Sequence, residues 1–549
     1  MYFKPLIILT FLCSWILTSV YSQCNPVTLQ IENDFRSNTS SDKGYNAYSL
    51  NGTDYYFEGN DTLIDLAHVK SIWFGGMDDE KYRLAANTSK FNERDYYPGP
   101  LNATTGEPYI LNYCHTFPKI WKFSKEEISN LQSLYASNDL QENDLSIYIK
   151  SYPAKNNIWY QDNFDVMLNE DLAPFYDRDG DGNYDPLNGD YPIPIAENPD
   201  FIPHQFTYSI YNDAAEAHSV TQASRAHVEI QQISYLLSES NDPILDKTLF
   251  TRFIWTLKGP YSIRNASLGI YELQDLDVNI DDYFGIDTLS NSWYIYNKDD
   301  GQDQYTGSTN IRFTTCLNAT VDNFMVYNFS AIGNPIPQIT DPILQEHYYN
   351  YMNGLWKDGT PLTIGGNGYN ASSSLFTNYA FHDSPKDSTG WSMQSENLPF
   401  GSFTTVSSFQ LGDLENGDSG IIDLSDIILY DEATNGFDKL CQIQSHSNLI
   451  SSFYDEHITK GGSTTTNDIE TTSSINVYPN PASSILYWEL DNQDEKPEYI
   501  QILDINGRTL IDYKKNEFSE IDISGLQSGT YLLVINTSNS VHTHRFVKI

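Results

Sequence analysis

An acidic segment in the first half of the chain carries the sharpest chemical pattern in the sequence. It places aspartates at positions 1, 3, 5 and 9 of a loop of the EF-hand type, namely Asp177, Asp179, Asp181 and Asp185. Gly182 at position 6 permits the sharp bend of such a loop, and Asn183 offers its backbone carbonyl. Because alternate carboxylates on a tight turn converge on one hard cation, the segment predicts a calcium site.

The last ligand of this loop departs from the EF-hand pattern. Position 12 is Asn188 rather than glutamate, so Asp190 is the residue expected to replace the missing carboxylate. No helical pattern flanks the loop, which predicts a free-standing calcium loop and not a pair of EF-hands. The alternative is an acidic turn that stays solvated and binds nothing.

A second stretch repeats the alternation of acidic and apolar residues. As a strand it would bring four side chains to one face: Asp275, Asp277, Asn279 and Asp281. The stretch is either a weaker second cation site or a solvated strand face beside a turn.

The sequence around possible motifs for covalent catalysis does not match that of known catalytic sites. Gly417–Gly420 reads Gly-Asp-Ser-Gly, as in the nucleophile loop of trypsin-like proteases, but Ile421 and Ile422 replace the usual continuation. We interpret it as a hairpin turn. The sequence contains no GxSxG and no HExxH pattern, and its histidines are scattered. We therefore predict no catalytic residue and no cofactor site other than calcium.

Composition places these motifs in a large acidic chain. Hydrophobic residues make up 40% and aromatic residues 14% of the 549 residues, which is enough apolar surface for large cores. The 73 acidic and 31 basic residues give a net charge of −42. This charge excludes nucleic acid as a partner and favours divalent cations. The 40 tyrosines favour strands.

The first residues have the organisation of a signal peptide. Lys4 precedes the apolar run Leu6 to Leu17, and cleavage is expected after Ser22, so residues 1–22 would be removed. A lipoprotein anchor at Cys24 is an alternative, although the preceding residues form a poor lipobox. No other stretch is apolar enough to span a membrane, so we expect no transmembrane segment after signal removal. The pairing of Cys24, Cys114, Cys316 and Cys441 stays open.

Strand patterns dominate the body of the chain. They cover Ala226 to Leu237, Thr248 to Leu257, Ser267 to Leu273, Asn310 to Cys316, Phe324 to Phe329 and Phe403 to Leu411. Helices are predicted at Ser124 to Tyr135, with a capping-box start, and at Asp341 to Trp356. The predicted fold is mostly β: a multi-domain β-sandwich body with a few short helices. Its regions are 23–200, ending in the acidic loop, and 201–460.

The composition of the sequence changes after residue 460. Residues 461–474 form a polar linker, and 475–549 follow as short strands separated by turns, with Asn506-Gly507 as a strong hairpin signal. Strands at this spacing predict a small immunoglobulin-like β-sandwich.

This tail resembles the type A C-terminal sorting domain of the type IX secretion system of Bacteroidetes. The resemblance rests on Val477–Pro481, the Leu503–Arg508 hairpin, Leu526–Tyr531 and the terminal Phe546–Ile549. It implies that the sorting signal includes Tyr478, Pro479, Asn480, Pro481, Asn506, Gly507, Gly529, Tyr531 and Lys548. It also implies type IX secretion machinery as a partner, passage through the periplasm, and release or attachment to surface lipopolysaccharide.

Several body phrases, among them Ile72–Gly76 and Gly354–Pro361, are similar to Bacteroidetes secreted proteins of unassigned function that carry the same tail. That similarity implies a common architecture and no known activity. We therefore expect a secreted or cell-surface protein that is non-enzymatic, adhesive or bound to extracellular glycan or matrix, and stabilised by calcium. The alternative is an exported hydrolase of polysaccharide or protein.

Overall fold

Antiparallel strands make up most of the chain, which confirms the predicted mostly-β class. The chain divides into two compact units, Met1–Gly462 and Ser463–Ile549, here called the body and the tail unit. The computed structural model describes residues 28–32, 35–40, 45–46, 55–59, 62–66, 68–79, 81–88, 93–109, 116–117, 120–238, 240, 242–274, 276, 282–297, 311–328, 336–399, 402–429, 439–459, 475–478, 482–490, 497–504, 509–514, 520–526, 529–537 and 541–548.

The described strands of the body, in chain order, are β1 (Thr28–Glu32), β2 (Phe35–Ser40), β3 (Tyr45–Asn46), β4 (Tyr55–Gly59), β5 (Thr62–Leu66), β6 (His68–Asp78), β7 (Lys81–Ala85), β8 (Tyr97–Pro98), β9 (Trp121–Ser124), β10 (Phe175–Tyr176), β11 (Tyr191–Pro192), β12 (Gln205–Asn212), β13 (Val228–Leu236), β14 (Thr248–Leu257), β15 (Ile263–Gln274), β16 (Asp282–Asp287), β17 (Ser292–Asn297), β18 (Ile311–Cys316), β19 (Asn323–Asn328), β20 (Phe403–Leu414) and β21 (Ser419–Leu429).

Most of these strands belong to two large antiparallel sheets. Sheet A has the order β19-β20-β15-β6-β3-β2-β4-β5, with β7 paired to β6 and β1 to β2. Sheet B has the order β16-β17-β18-β21-β14-β13-β12-β8, with β9 also paired to β12. Strands from both sides of residue 200 therefore share both sheets. β10 and β11 form a separate two-stranded ribbon.

Sheets A and B pack face to face. Successive side chains of a strand point to opposite faces, and in β13 the residues Val228 and Ile230 belong to a core that also contains Trp73 and Ile270 of sheet A. The alternate residues Ile233 and Tyr235 belong to a second core on the outer face of sheet B. The body is thus a β-sandwich whose sheet B is covered on both faces.

Short helices and irregular segments form the cover of that outer face, except for the helix Gln345–Met352, whose buried residues Tyr348 and Met352 belong to the first core with sheet A. The helices are α1 (Lys125–Ala136), α2 (Ile147–Lys150), α3 (Ile158–Phe164), α4 (Pro243–Asp246), α5 (Gln345–Met352) and α6 (Ile443–Tyr454). The 3-10 turns are Glu142–Asp144, Pro186–Asn188 and Pro337–Ile339, and Asp455–Thr459 extends α6 as a π-helical turn. Ile128, Ile149 and Ile450 from this cover are buried in the second core with Phe206 and Phe250 of sheet B.

Local signals predicted α1 better than α5. The hydroxyl of Ser124 accepts a hydrogen bond of 3.1 Å from the N–H of Glu127, which confirms the predicted cap of α1. α5 is shorter than predicted, since it begins only at Gln345. Ile343 and Leu344 fall within the predicted helix Asp341 to Trp356, but they precede the observed helix and are 63% and 56% exposed. α6 was not predicted.

The strands predicted in the body are present, with shifted ends in most cases. The interpretation of Gly417–Gly420 as a hairpin turn was wrong. β20 pairs within sheet A and β21 within sheet B, so the chain crosses from one sheet to the other at this point. The backbone of Ser419 lies opposite Thr256 in sheet B.

Two of the four cysteines expected in the mature chain lie within the described residues. Cys316 is buried and Cys441 is exposed, and both carry free thiols. Cys24 and Cys114 lie outside the described residues.

The tail unit is a small two-sheet sandwich. Its strands are β22 (Ile475–Tyr478), β23 (Ile485–Leu490), β24 (Pro497–Asp504), β25 (Thr509–Lys514), β26 (Glu520–Asp522), β27 (Gly529–Thr537) and β28 (Val541–Lys548). One sheet has the order β22-β23-β26 and the other β25-β24-β27-β28. Leu486 and Ile521 of the first sheet share one buried core with Ile500, Leu533 and Phe546 of the second.

Candidate metal centre and adjoining cleft

The ribbon of β10 and β11 holds the two ends of the acidic loop together. Tyr176 lies opposite Tyr191 in this ribbon, and their rings stack with centroids 4.8 Å apart. Asp177 follows β10 directly and Asp190 precedes β11 directly. The two aspartates are therefore neighbours at the base of the loop although thirteen peptide bonds separate them.

The carboxylate of Asp177 organises the first turn of the loop. Its Oδ1 accepts a hydrogen bond of 2.8 Å from the N–H of Gly180, and its Oδ2 accepts one of 2.8 Å from the N–H of Gly182. Gly180 and Gly182 have φ values of +74° and +76°, in the left-handed region that glycine adopts at least cost. The backbone thus bends where the loop pattern predicts.

Three carboxylates meet at the base of the loop. One oxygen each of Asp177, Asp179 and Asp190 lies within 4.8 Å of the others. Asp190 is only 1% exposed and accepts hydrogen bonds from the N–H groups of Arg178 (2.9 Å) and Asp185 (2.8 Å). Burial, followed by the charges of Asp177 and Asp179, raises the pKa of Asp190 to about 6. A bound cation would offset this repulsion.

The other predicted ligands have partners of their own. Oδ1 of Asp181 accepts a hydrogen bond of 2.7 Å from the N–H of Asn183, and the side-chain oxygen of Asn183 accepts one of 2.7 Å from Asn156. Oδ1 of Asp185 accepts from the N–H of Leu187 at 2.9 Å and caps a 3-10 turn. Among the described residues, the carboxylates of Asp181 and Asp185 do not belong to the group formed by Asp177, Asp179 and Asp190.

The second predicted cation site, at Asp275, Asp277, Asn279 and Asp281, lies outside the described residues and stays a prediction. The next residue, Asp282, begins β16, and its Oδ2 accepts a hydrogen bond of 2.8 Å from the N–H of Leu276.

A cleft of about 670 Å³ opens beside the acidic loop. Residues 172–177 form one wall, Ile193 and Glu197 belong to another, and Gln231 and Arg252 line the cleft from sheet B. Asp177 is therefore shared between the three-carboxylate group and the lining of the cleft.

Ion pairs fix the polar side chains of this cleft. The guanidinium of Arg252 donates two hydrogen bonds, of 2.8 and 2.9 Å, to the carboxylate of Asp423, and a third of 2.7 Å to Glu197. The hydroxyl of Tyr454 donates to the same Asp423. Lys155 donates to Asp171 over 2.9 Å at the rim, where the Asp171 side chain is 85% exposed. Sequence reasoning missed these residues because they are scattered along the chain and follow no motif.

In the tail unit, the described residues of the predicted sorting signal lie on paired strands. Gly529 is opposite Lys548, and Tyr531 is opposite Phe546, with ring centroids 5.8 Å apart. Tyr478 pairs with Tyr487 in the smaller sheet. The predicted signal residues Pro479, Asn480, Pro481, Asn506 and Gly507 lie outside the described residues.

The family of secretion system C-terminal sorting domains matches residues 476–549. The tail unit is a type IX secretion sorting domain. The sorting domain confirms the predicted family, and it indicates export to the cell surface or into the medium. Within the described part of the chain, no helix is both long and apolar enough to cross a membrane.

Comparison of the whole chain with solved structures gives low similarity. A polysaccharide lyase matches with 9% identity and a TM-score of 0.22, over 58% of this chain and 34% of its own. The inverting mannosidase of family GH92 from Bacteroides thetaiotaomicron matches with 7% identity and a TM-score of 0.18, over 48% of this chain and 27% of its own. The BSP domain of a biofilm associated protein matches with 9% identity and a TM-score of 0.15, over 96% of this chain and 80% of its own.

The chain thus spans about a third of the lyase and about a quarter of the mannosidase. At these TM-scores the likeness carries no argument about fold or activity. No match to the chain was found among curated proteins.

Proposed function

We propose that the exported body is a non-enzymatic protein that binds extracellular glycan in the cleft and calcium in the adjoining loop. The observation that supports this most is the position of Asp177, which belongs to the three-carboxylate group and also lines the cleft. A cation held by Asp177 would stiffen a wall of the cleft. The sorting domain exposes the body to extracellular calcium, which is plentiful.

The donor set of the loop suits calcium. Calcium takes six to eight oxygen ligands, mainly carboxylates and carbonyls. Asp177, Asp179 and Asp190 would supply three carboxylates, and Asp181, Asn183 and Asp185 are the remaining predicted ligands. Asp190 would act in place of the missing glutamate. Even a weak site, with a Kd on the order of 0.1–1 mM, would be largely filled in millimolar calcium.

The cleft has the chemistry that a sugar ligand requires. The aromatic side chains of Phe175 and Tyr176 are half-buried in its wall and offer apolar faces. Gln231, Glu197 and Arg252 offer hydrogen-bond donors and acceptors in fixed positions. A ligand rich in hydroxyl groups on an apolar ring matches this mixture.

The carboxylates of the cleft favour binding over hydrolysis. A glycosidase needs one carboxyl group that donates a proton to the leaving group and a second that attacks or activates water. Here Glu197 is held by Arg252 at 2.7 Å, Asp171 by Lys155 at 2.9 Å, and Asp177 by two backbone N–H groups. Glu197 and Asp177 are thus engaged in holding structure, and Asp171 is engaged in an ion pair at the rim.

Calcium removal tests the first half of the proposal. A ligand that binds only the folded state adds RT ln(1 + [L]/Kd), about 2.7 kcal/mol at a hundredfold excess over Kd. EDTA should therefore lower the Tm of the body, and calcium should restore it. Asp179→Asn combined with Asp190→Asn should abolish the effect of EDTA.

Asp387→Asn is the matched control for this test. Asp387 is an exposed aspartate that accepts hydrogen bonds within its own turn, from Thr389, and lies outside the loop. This variant should keep the full response to EDTA. An unchanged Tm of the wild type in EDTA, with no calcium uptake in calorimetry, would contradict the calcium site.

A panel of soluble polysaccharides tests the second half. We expect retention of the full chain on at least one of them in affinity electrophoresis, weakened by Gln231→Ala, with no release of reducing ends. Release of reducing ends by the wild type would instead assign the body to the exported hydrolases.

A further inference from the structure

A second cleft, of about 450 Å³, lies against β7 and is lined by cationic side chains. Lys81 and Arg83 come from β7, and Arg225 comes from the segment before β13. His218 and His227 also line it, and no described carboxylate does. Such a lining is unexpected in a chain with a net charge of −42. Asp78 pairs with Arg83, but Lys81 and Arg225 have no carboxylate partner among the described residues, so an anion in the cleft would relieve their repulsion.

The guanidinium of Arg83 is held in place while part of it stays available. Its Nε donates to Asp78 over 2.7 Å and its Nη1 donates to the carbonyl of Arg225 over 2.9 Å. Its Cζ lies 3.3 Å from the centroid of the Tyr261 ring, so the group is stacked as well. Among the described contacts, Nη2 of Arg83 has no hydrogen-bond partner. A fixed guanidinium with free N–H groups is a geometry that binds oxyanions.

The other cations of this cleft are similarly available. Arg225 uses its Nε for the carbonyl of Glu216, at 3.2 Å, and its two terminal nitrogens have no partner among the described residues. Lys81 is exposed, and its ammonium group makes no hydrogen bond or ion pair among the described residues. Nδ1 of His227 donates to the carbonyl of Gly106 over 2.8 Å, which leaves Nε2 for a ligand.

Backbone conformation sets this cleft apart from an ordinary surface. Gln222 and His227 have φ values of +57° and +61°, in the left-handed region that costs free energy for residues other than glycine. Both residues line the cleft. The N–H of Leu84 donates to the carbonyl of Ser224 over 3.1 Å, which fastens this segment to β7. Strained positions of this kind persist where the surroundings fix them, often at ligand sites.

We propose that this cleft binds an oxyanion, either a carboxylate, a sulfate or a phosphate group, through Arg83, Arg225 and Lys81. The site is separate from the cleft beside the acidic loop, and the proposal does not depend on calcium or on glycan binding there. The bound group can be a free anion or the charged substituent of a larger ligand, since both present the same oxygens.

Calorimetric titration of the full chain at low ionic strength tests the proposal, with sodium phosphate, sodium sulfate and sodium glucuronate as separate probes and sodium chloride as the reference. We expect saturable uptake of at least one oxyanion. Preference for glucuronate assigns a carboxylate site, preference for phosphate or sulfate assigns a tetrahedral one, and equal uptake assigns a general oxyanion site. Absence of saturable uptake of all three would overturn the proposal.

Variants at Lys81 and Arg225 make the test specific. Lys81→Gln combined with Arg225→Gln should weaken uptake at least about tenfold, because the double variant loses two of the three cations that would hold the anion. Arg225→Lys should keep most of the affinity. Lys125→Gln, at an exposed position of α1, removes a cation elsewhere and should change nothing. Equal uptake by the double variant and the wild type would also overturn the proposal, and an unchanged circular dichroism spectrum and Tm show that the double variant is folded.

Discussion

Lys70 and Asp426 join the two sheets of the body through the middle of the sandwich. Nζ of Lys70, on β6 of sheet A, lies 2.6 and 2.7 Å from the carboxylate oxygens of Asp426, on β21 of sheet B. Lys70 also lies 2.9 Å from Glu272, its cross-strand neighbour on β15, and Arg312 lies 3.1 Å from Asp426. All four side chains are at most 2% exposed. Two cations and two anions therefore neutralise one another inside an apolar core.

Lys70→Met should lower the free energy of unfolding of the body by about 3–5 kcal/mol, because it leaves two carboxylates buried with one cation. Denaturant unfolding measures the loss. Lys150→Met is the control, since its pair with Glu142 spans 3.7 Å at the surface and should contribute at most about 1 kcal/mol. A loss no larger than that of the control would show that the buried network does not hold the sheets together.

Stability should fall in mildly alkaline solution because of His218. This histidine is buried, and its two ring nitrogens lie 2.9 and 2.8 Å from the carbonyls of Leu84 and Asp213. Both nitrogens must carry protons to donate to carbonyls. Burial opposes the charge, but Asp213 and Asp95 outweigh it and raise the pKa of His218 to about 9.

The folded state thus binds the proton more tightly than the unfolded chain, whose histidine pKa is about 6.5. The contribution of protonated His218 to the free energy of unfolding is complete below about pH 6.5 and is lost as the pH rises through about 9. The total loss is at most about 3 kcal/mol. Melting curves between these pH values measure it. The His218→Gln variant should be less stable than the wild type at pH 6.5, and its Tm should change little between pH 6.5 and 9. A wild-type Tm that does not fall would contradict the protonated state.

The two described thiols should differ sharply in reactivity. Cys441 is exposed, and its Sγ lies 3.2 Å from the ammonium group of Lys386. Cys316 is 4% exposed, and burial raises its pKa to about 12. A maleimide should label the peptide containing Cys441 in the native protein and the peptide containing Cys316 only after denaturation. Labelling of Cys316 at the same rate as Cys441 in the native protein would show that Cys316 is not buried.

Removal of residues 475–549 should leave the body folded but trapped in the periplasm. The two units have separate cores, so the truncated chain should keep the wild-type response to EDTA. Cell fractionation locates the product. A periplasmic reporter fused to residues 463–549 is the converse control and should reach the surface. Normal surface delivery of the truncated chain would contradict the sorting role.

Local patterns in the sequence predicted the elements whose conformation depends mainly on residues close together in the chain. The cap at Ser124, the bend at Gly182 and the strand Thr248–Leu257 each depend on residues within a few positions of one another. The acidic loop belongs to the same class, because its carboxylates lie in one short segment. The structure brings Asp190 close to Asp177 and Asp179, and calcium binding by this group stays a prediction.

Contacts between distant segments were not predictable in this way. The partners Lys70 and Asp426 are 356 positions apart, and nothing in either local sequence marks a lysine that will be fully buried. The cationic cleft likewise joins β7 to residues near 225 and to Tyr261. Such sites exist only once the order of strands is known, and the wrong hairpin at Gly417–Gly420 shows that strand order was not evident from the sequence.

The burial of α6 imposes an order in time on the folding of the body. Ile450 and Ile458 are fully buried, and the ring of Phe453 lies 5.8 Å from that of Phe250 on the outer face of sheet B. α6 is the last element of the body, so the aromatic patch around Phe250 stays exposed until residues 443–459 have joined the folded sheets. A body that ends before Ile443 should therefore be prone to aggregation, and a chaperone that holds aromatic surface would protect the chain until α6 packs.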